Sequence, residues 1–177
     1  MPFNLVSYRE KMAEISPVYE GKVVHAGIFD FKSFYGFLYD FFSYYQYLVI
    51  EKKYSEKIKA EGKDVEVEWL CLRKISDYFR FRVKVVIRII NMVTVEAQRE
   101  AIKVKRDKGE MEVKFSSSLE RDYEHKWESN PISKFLRGIY DKYVVKTRIE
   151  AYEDALASEV DEAIAQVKSF LALEGKR

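Results

Sequence analysis

Hydrophobic and charged residues alternate along segment 78–90, which reads YFRFRVKVVIRII. Phe, Val and Ile occupy its odd positions, and Arg or Lys occupies most of its even positions. Successive side chains of a β-strand point to opposite faces of the sheet. The pattern therefore predicts a long strand with one apolar and one cationic face, and an α+β fold whose antiparallel sheet is packed on one side.

Alternation and turn residues elsewhere in the chain predict a curved antiparallel sheet of about six strands. The predicted strands cover residues 19–28, 48–58, 65–74, 78–90, 93–106 and 110–119. The predicted turns lie at 61–64, at 76–77 and at 107–109, where Gly109 tolerates a positive φ.

Segment 31–47, FKSFYGFLYDFFSYYQY, consists largely of Phe and Tyr. Aromatic residues favour strands, but the spacing of the apolar residues here favours a helix. The helical stripe comprises Phe34, Leu38, Phe41, Phe42 and Tyr45. We therefore predict an aromatic helix over 30–47 after the first strand, with Asp30 as its N-cap. Because it is apolar nearly all round, this helix needs burial on more than one side.

Helical spacing also appears at both ends of the chain. One face of a short N-terminal helix over 1–17 is formed by Leu5, Tyr8, Met12 and Ile15, and Ser16 with Pro17 ends it. Long C-terminal helices over 130–173 are predicted to pack on one face of the sheet. Asn130 and Pro131 mark their start, and Thr147 with Glu150 fits a capping box that predicts a second start or a kink. The apolar stripe of the last helix comprises Tyr152, Leu156, Val160, Ala163, Val167 and Leu171.

The composition is that of a folded protein with no marked charge excess. The chain has 177 residues, of which 47% are hydrophobic and 15% aromatic, so disorder is not expected. No linker or repeat divides it, and we predict a single domain over 1–177. The net charge of +2 is too small to favour wholesale nucleic-acid binding. Charged residues make up 34%, mostly Lys and Glu, which resembles the composition of thermophile proteins.

Cysteine usage and the N-terminus indicate a cytoplasmic protein. Cys71 is the one cysteine of the sequence, so no internal disulfide can form, and a reducing compartment is expected. The N-terminus lacks a basic start followed by an apolar core, so no signal peptide is predicted. No transmembrane segment is predicted either, because the aromatic segment is short and carries Asp40 near its centre.

The predicted order is a strand, an aromatic helix, antiparallel strands and long C-terminal helices. This order resembles the START or Bet v 1 helix-grip family, in which a curved sheet wraps a C-terminal helix around a cavity. The resemblance covers residues 19–173 and is one of element order, without a matching motif. The glycine-rich loop of Bet v 1 relatives is reduced here to Gly62, and their two short helices after the first strand are replaced by one. The resemblance implies a cavity for a small apolar or lipid-like ligand.

Candidate catalytic residues are scarce. The glycines form no phosphate-binding loop or dinucleotide fingerprint, so no cofactor is predicted. His25 is predicted to be a partly buried strand residue. His125 shares a helical face with Asp122 and Glu128, but a metal site needs further ligands, so no metal is predicted. Cys71 lies between Leu70 and Leu72 and is predicted to be a buried structural thiol. No catalytic residue is assigned, and a non-enzymatic function is favoured over an enzyme.

The cationic face of segment 78–90 leaves two interpretations open. The favoured one is ion pairing, in which Glu66 and Glu68 face Arg80 and Arg82 across the hairpin at 76–77. The alternative is binding of an anion or of nucleic acid, which would use Arg80, Arg82, Lys84 and Arg88. Nucleic-acid-binding sheets usually place aromatic residues among the cations, whereas the aromatic residues here lie mainly on the opposite face. Segment 150–162 is acidic, so the basic sheet and this helix either face each other or face different partners.

The aromatic residues lead to the main functional hypotheses. The first is a non-enzymatic binding protein with a hydrophobic cavity between the sheet and the C-terminal helix, with Tyr35, Tyr39, Tyr44, Tyr45 and Trp69 as candidate ligand-binding residues. The second is a structural or assembly subunit that forms a homo-oligomer through the aromatic helix or a sheet edge.

Overall fold

The structure, a computed structural model, describes residues 14–99, 102–124 and 146–175. Its strands are β1 (Glu14–Phe29), β2 (Leu48–Lys59), β3 (Gly62–Lys74), β4 (Phe79–Arg99) and β5 (Ile102–Arg121). Helix α1 (Phe31–Tyr44) lies between β1 and β2 in the chain, and helix α2 (Lys146–Gly175) follows β5.

The strands form one antiparallel sheet in the order β1-β5-β4-β3-β2. Strands β2 to β5 pair with their chain neighbours, whereas β1 pairs with β5, so β1 and β2 are the two edges. Helix α2 packs on β1 and β5, and α1 contacts β2. The predicted α+β class is confirmed: an antiparallel sheet has a helix after its first strand and a C-terminal helix packed on it. This arrangement is compatible with a helix-grip-like fold.

The described sheet has five strands, and the prediction of about six was wrong. The predicted strand 93–106 does not exist as a unit, because β4 continues to Arg99 and β5 begins at Ile102. A β-bulge in β4 causes the difference. The pairing shifts between Ile90 and Val93, and Asn91 has a φ of 53°. The extra residue breaks the alternation, and the sequence therefore reads as the end of one strand and the start of another.

The predicted hairpin turn at 107–109 was also wrong, because these residues lie inside β5. Gly109 pairs with Gly27 of β1. A Cβ atom on Gly109 would lie 2.9 Å from the carbonyl oxygen of Ile90, on the strand that bulges beside it. This glycine therefore serves a close approach between two strands and not the positive φ of a turn.

The first strand begins earlier than predicted, at Glu14. Ile15, Ser16 and Pro17 were assigned to the end of an N-terminal helix but belong to β1. Proline is tolerated there because β1 is an edge strand, and its pairing shifts between Pro17 and Tyr19. The remainder of that predicted helix lies outside the described residues.

The two described helices bury the predicted apolar stripes. Asp30 caps α1 by accepting a hydrogen bond from the Ser33 N–H at 3.0 Å. The side chains of α1 that are fully buried are those of Phe34, Leu38 and Phe42. In α2 the buried side chains include Leu156, Val160, Ala163, Val167 and Leu171. Helix α1 ends at Tyr44, three residues before the predicted end, and the predicted helical residues 130–145 lie outside the described residues.

The core lies between the helices and one face of the sheet. The apolar half of the alternating pattern on β4 belongs to this core and comprises Phe79, Phe81, Val83, Val85, Ile87 and Ile89. Helices α1 and α2 contact each other through Phe170, whose ring stacks on Phe37 at 4.8 Å and meets Phe34 edge-on at 5.8 Å. The charged half of the pattern faces away from both helices, and we call that side the outer face.

Candidate ligand-binding groove

Ion pairs cover much of the predicted cationic face. Arg80 pairs with Glu120 at 2.8 Å, Lys84 with Glu68 at 2.8 Å, and Arg88 with Glu66 at 3.5 Å. Within the described ranges, Arg82 makes no ion pair, since it lies between Leu72 and Ser118. Pairing on the outer face was predicted correctly, but its partners were not. In the β3–β4 register, Arg80 lies opposite Lys74 and not opposite Glu66 or Glu68, the partners that were predicted.

The residues considered for catalysis have structural surroundings. Cys71 is fully buried, and burial raises the pKa of its thiol to about 12, which keeps it protonated and unreactive. His25 is half-buried, and its Nε2 lies 3.4 Å from the carbonyl oxygen of Ile28. His125 lies outside the described residues. Across residues 14–99, 102–124 and 146–175, no group of three or more His, Cys, Asp or Glu side chains could hold a metal ion.

The five residues predicted to line a cavity lie in two places. Tyr35 and Tyr39 of α1 meet the buried Trp69 of β3 edge-on, with ring centroids 4.7 Å and 6.3 Å away. Tyr44 is 82% exposed, and its ring contacts Tyr45 at 5.4 Å on the side of α1 that reaches α2. Of these five residues, Tyr35 lines a pocket that lies between α1 and β2, whereas the cavity was predicted between the sheet and the C-terminal helix.

That pocket is a groove between α1 and β2, which we call the α1–β2 groove. It has a volume of about 280 Å³, is open to solvent, and is lined by Phe31, Lys32, Tyr35 and Tyr54. Phe31 and Tyr35 are one helical turn apart, so they share the flank of α1 that faces β2. Tyr54 lies opposite the buried Val67, on the core side of β2. The groove therefore has three aromatic walls and one cationic side chain.

Sequence reasoning found Tyr35 of this groove but missed its other lining residues. The β2–β3 pairing shifts between Glu51 and Lys53, which marks a β-bulge at Lys52. This bulge changes the face of the sheet on which the Tyr54 side chain lies. Simple alternation from Val49 and Glu51 would place Tyr54 on the outer face. The spacing of Phe31 and Tyr35 was a usable signal, because residues one turn apart share a helix face.

Two carboxylates hold the tyrosine hydroxyls of the groove. Tyr35 donates a hydrogen bond to Glu51 at 2.5 Å, and Tyr54 donates one to Glu56 at 2.7 Å. Lys63 also donates to Glu56, at 3.0 Å. Burial and the contact with Glu51 raise the pKa of Tyr35 to about 12, and the hydrogen bond to Glu56 with burial does the same for Tyr54. Both phenols therefore stay protonated at neutral pH, with their protons directed to protein carboxylates.

Two hydrogen-bond donors near the groove are poorly satisfied by the described residues. The indole Nε1 of Trp69 is buried and forms no hydrogen bond of good geometry, although its contact with the Tyr35 hydroxyl partly offsets the raised pKa of that phenol. Lys32 lines the groove and makes no ion pair with any described side chain. A buried donor without a partner costs free energy, so an oxygen atom that reached Trp69 would be stabilising.

A polar cluster, which we call the α2 clasp, joins α2 to β3 and to the end of α1. Glu159 of α2 accepts hydrogen bonds from Arg73 at 2.6 Å and from Tyr47 at 2.8 Å. Arg73 also donates to the backbone oxygen of Tyr45 at 2.9 Å, and the Tyr45 hydroxyl donates to Glu162 at 2.6 Å. The Arg73 guanidinium lies over the Tyr47 ring, 4.8 Å from its centroid. The acidic segment of α2 thus meets one cation of β3, Arg73. The basic face of segment 78–90 points away from both helices and pairs with glutamates of the sheet, so that face and the acidic helix do not face each other.

We expect Glu159→Gln to lower the free energy of unfolding by about 1–2 kcal/mol, because it leaves a partly buried Arg73 without its counter-ion. Both side chains of this pair are 19% exposed, so solvent screens them only in part. Urea unfolding at neutral pH measures the change. The matched control is Glu162→Gln, which removes a more exposed carboxylate of the same helix and should cost less than half as much. Equal effects of the two substitutions would contradict the central role of Glu159 within the clasp.

Tyrosine ionisation should destabilise the fold at alkaline pH. The pKa values of Tyr35, Tyr45 and Tyr54 are each raised to about 12, and burial raises that of Tyr47 as well. The unfolded value is about 10. A raised folded pKa stabilises the fold fully below the unfolded pKa, and that contribution is lost as pH rises through the folded pKa. Urea midpoints should therefore fall between about pH 10 and pH 12. Tyr47→Phe should reduce the fall, and a midpoint constant over this range would contradict the expectation.

A second depression, of about 510 Å³, surrounds the β4 bulge on the outer face. Its lining mixes the apolar Ile90 and Val93 with Lys108 and the carboxylates of Glu61 and Glu110, and it contains no aromatic ring among the described residues. An apolar ligand is therefore better accommodated by the α1–β2 groove.

Comparison of the chain with family models, with curated proteins and with solved structures finds no match. Neither of the described helices combines the length and the hydrophobicity needed to cross a membrane. The fold of the described residues defines the class as an α+β protein, with an antiparallel sheet and a C-terminal helix packed on it.

Proposed function

We propose that this protein is a non-enzymatic binding protein for a small apolar ligand, and that the ligand occupies the α1–β2 groove. The observation that carries the proposal is the set of three aromatic walls around a volume of about 280 Å³. The volume is close to the lower end of the range for small-molecule sites. Aromatic walls with their hydroxyls already satisfied favour an apolar body, because little polar surface has to be desolvated.

We propose a distant relationship to START and Bet v 1 proteins, on the ground that the order of strands and helices is similar. The pairing of the first strand with the last, and the packing of α2 over both, agree with that relationship. The buried free thiol of Cys71 fits a reducing compartment, so we propose a cytoplasmic location.

The groove is shallow, and the expected affinity is moderate. An aromatic ligand that removes about 200 Å² of apolar surface from water gains roughly 5 kcal/mol before the cost of association. Because the cost of association offsets much of that gain, a dissociation constant in the millimolar range or weaker is expected for a small probe.

Native mass spectrometry of the purified protein, before and after mild denaturation, tests whether a ligand is bound. A monomer that loses an extra mass on unfolding supports the proposal and gives the size of the ligand. Calorimetric titration with phenylbutanol then locates the site. Tyr54→Ala removes one wall of the groove and should weaken binding about tenfold, a change of about 1.4 kcal/mol. Tyr44→Ala, on the exposed side of α1, should leave binding unchanged; equal losses in the two variants would overturn the location.

Self-association is the second candidate function, favoured by exposed apolar side chains along α1 and β2. Ile58 is 90% exposed, Tyr44 82% and Leu48 64%. The four lysines of β2 and its bulge disfavour strand-to-strand pairing at this edge, so side chains would form the contact. Sedimentation equilibrium at high concentration tests this: an oligomer that Tyr44→Ala dissociates supports it, and a strict monomer excludes it.

Binding of an anion or of nucleic acid by the outer face has less support. Arg80, Lys84 and Arg88 already pair with glutamates, so a phosphate would have to displace those partners. Arg82 is the cation of this set that remains without an ion pair in the described part of the chain.

A further inference from the structure

We infer that the ligand of the α1–β2 groove is an amphipathic carboxylate, with an apolar body against the aromatic walls and its carboxylate at Lys32. The inference rests on the proposed function and specifies the chemistry of its ligand. Its basis is the distribution of donors and acceptors around the groove.

The protons of the groove tyrosines are already engaged. Tyr35 and Tyr54 donate to Glu51 and Glu56, at 2.5 Å and 2.7 Å. Neither carboxylate is among the described residues that line the groove. The tyrosines therefore contribute ring surface and leave the recognition of a polar group to other side chains.

The polar groups that remain are donors. Lys32 lines the groove and makes no ion pair among the described residues. Trp69 is 1% exposed and meets the Tyr35 ring edge-on, with its Nε1 buried beside the Tyr35 hydroxyl and without a hydrogen bond of good geometry. A ligand oxygen that displaces the edge of the Tyr35 ring would supply that acceptor, while a second oxygen pairs with Lys32.

A cationic head group is disfavoured by the same arrangement. It would lie beside the Lys32 ammonium, with like charges in contact. The carboxylates around the groove are already bound. Glu51 and Glu56 accept from Tyr35, Tyr54 and Lys63. At the start of α1, Asp30 pairs with Arg106 and Asp107 accepts from the Phe31 N–H. A neutral alcohol would use the apolar walls but would gain no ion pair.

Three probes with one apolar body separate these cases: phenylbutyrate, phenylbutanol and phenylbutylammonium, each titrated by calorimetry into the full chain at low salt. Phenylbutyrate should bind about three- to fivefold more tightly than the alcohol, which is the range of an exposed ion pair. The ammonium probe should bind most weakly. Added salt should reduce the preference for the carboxylate, because ions screen exposed charges.

Substitutions assign the preference to named groups. Lys32→Met keeps the length of the side chain and should make the carboxylate and the alcohol bind equally. Lys168→Met, an exposed lysine on α2, is the matched control and should change nothing. Trp69→Phe keeps a ring and removes the hydrogen-bond donor. It should weaken the binding of the carboxylate probe about twofold more than that of the alcohol. Equal effects on the two probes would show that the indole does not contact the ligand.

The outcomes distinguish this inference from the proposed function. If the alcohol binds and the carboxylate shows no preference that Lys32→Met removes, the groove binds apolar ligands but the carboxylate inference is overturned. If none of the three probes binds, the proposed function itself is overturned. A carboxylate preference that Lys32→Met abolishes and Lys168→Met preserves supports both.

Discussion

Replacing Phe34 with alanine is expected to lower the free energy of unfolding by about 3–5 kcal/mol, the usual cost of truncating a buried aromatic side chain. Phe34 is fully buried in α1, and its ring meets Phe170 of α2 at 5.8 Å. Its removal opens a cavity where α1, α2 and the sheet meet. Guanidinium unfolding followed by circular dichroism measures the change.

Tyr44→Ala is the matched control for Phe34→Ala. It truncates another aromatic side chain of the same helix, but one that is 82% exposed, and should cost about 0.5 kcal/mol or less. A strand in this segment would place residues 34 and 44 on the same face, since both are even. Similar costs for the two substitutions would therefore contradict the helical packing of α1.

Replacing Gly62 with alanine is expected to cost about 2–4 kcal/mol, because backbone strain and a steric clash add. Gly62 has a φ of 135°, a region that other residues rarely adopt. A Cβ atom there would lie 2.9 Å from the carbonyl carbon of Asn91 and 2.9 Å from the carbonyl oxygen of Met92. These are backbone atoms of the β4 bulge, which cannot move without disturbing the β3–β4 pairing. Urea unfolding of the variant measures the loss.

Gly36→Ala is the control, because Gly36 has neither the positive φ nor the close neighbours of Gly62. Gly36 lies within α1, and a Cβ atom there would meet no heavy atom within 4 Å apart from its chain neighbours and the backbone of its own helix. The substitution should stabilise the protein by about 0.5–1 kcal/mol, since glycine is a poor helix former. Both substitutions add the same methyl group. The opposite signs expected for their changes in the free energy of unfolding therefore come from the surroundings of each glycine. A neutral Gly62→Ala would show that the bulge does not approach β3 as closely as described.

The fold class could be predicted from the sequence because the periodic segments are long. Alternation over 78–90 identified the strand that runs through the centre of the sheet, and the buried Phe34, Leu38 and Phe42 follow the helical spacing of the aromatic segment. Helical periodicity there prevailed over aromatic strand propensity, because a helix can bury this stripe against the sheet and α2 at once.

The errors in the strands have one physical cause, the β-bulge. The extra residue at Asn91 makes the sequence of β4 read as two strands, and across the shift at Lys52 simple alternation would place Tyr54 on the wrong face. A bulge leaves no fixed sequence signature, because it depends on the pairing with neighbouring strands. Gly109 was read as a turn for the same reason, since glycine marks both positive φ and close strand approach.

The polar partners were less predictable than the strands. The order of strands and their register decide that Arg80 meets Glu120, a residue far along the chain. The clasp between Arg73 and Glu159 also depends on where α2 crosses the sheet. One signal was present, because Arg73 has the inward parity of Trp69 and Cys71, and a charge on that face needs a partner. For the binding site, Tyr35 was identified from its residue type, whereas the groove itself arises from the packing of α1 against β2.

The measurement that tests the central claim most directly is ¹⁹F NMR of the full chain labelled with fluorotyrosine, titrated with phenylbutanol. Tyr→Phe substitutions assign the resonances of Tyr35, Tyr54, Tyr44 and Tyr45. The groove predicts that the resonances of Tyr35 and Tyr54 shift together, with one dissociation constant, while those of Tyr44 and Tyr45 remain in place. Saturable shifts confined to Tyr44 and Tyr45, or no saturable shift at all, would contradict a ligand site between α1 and β2.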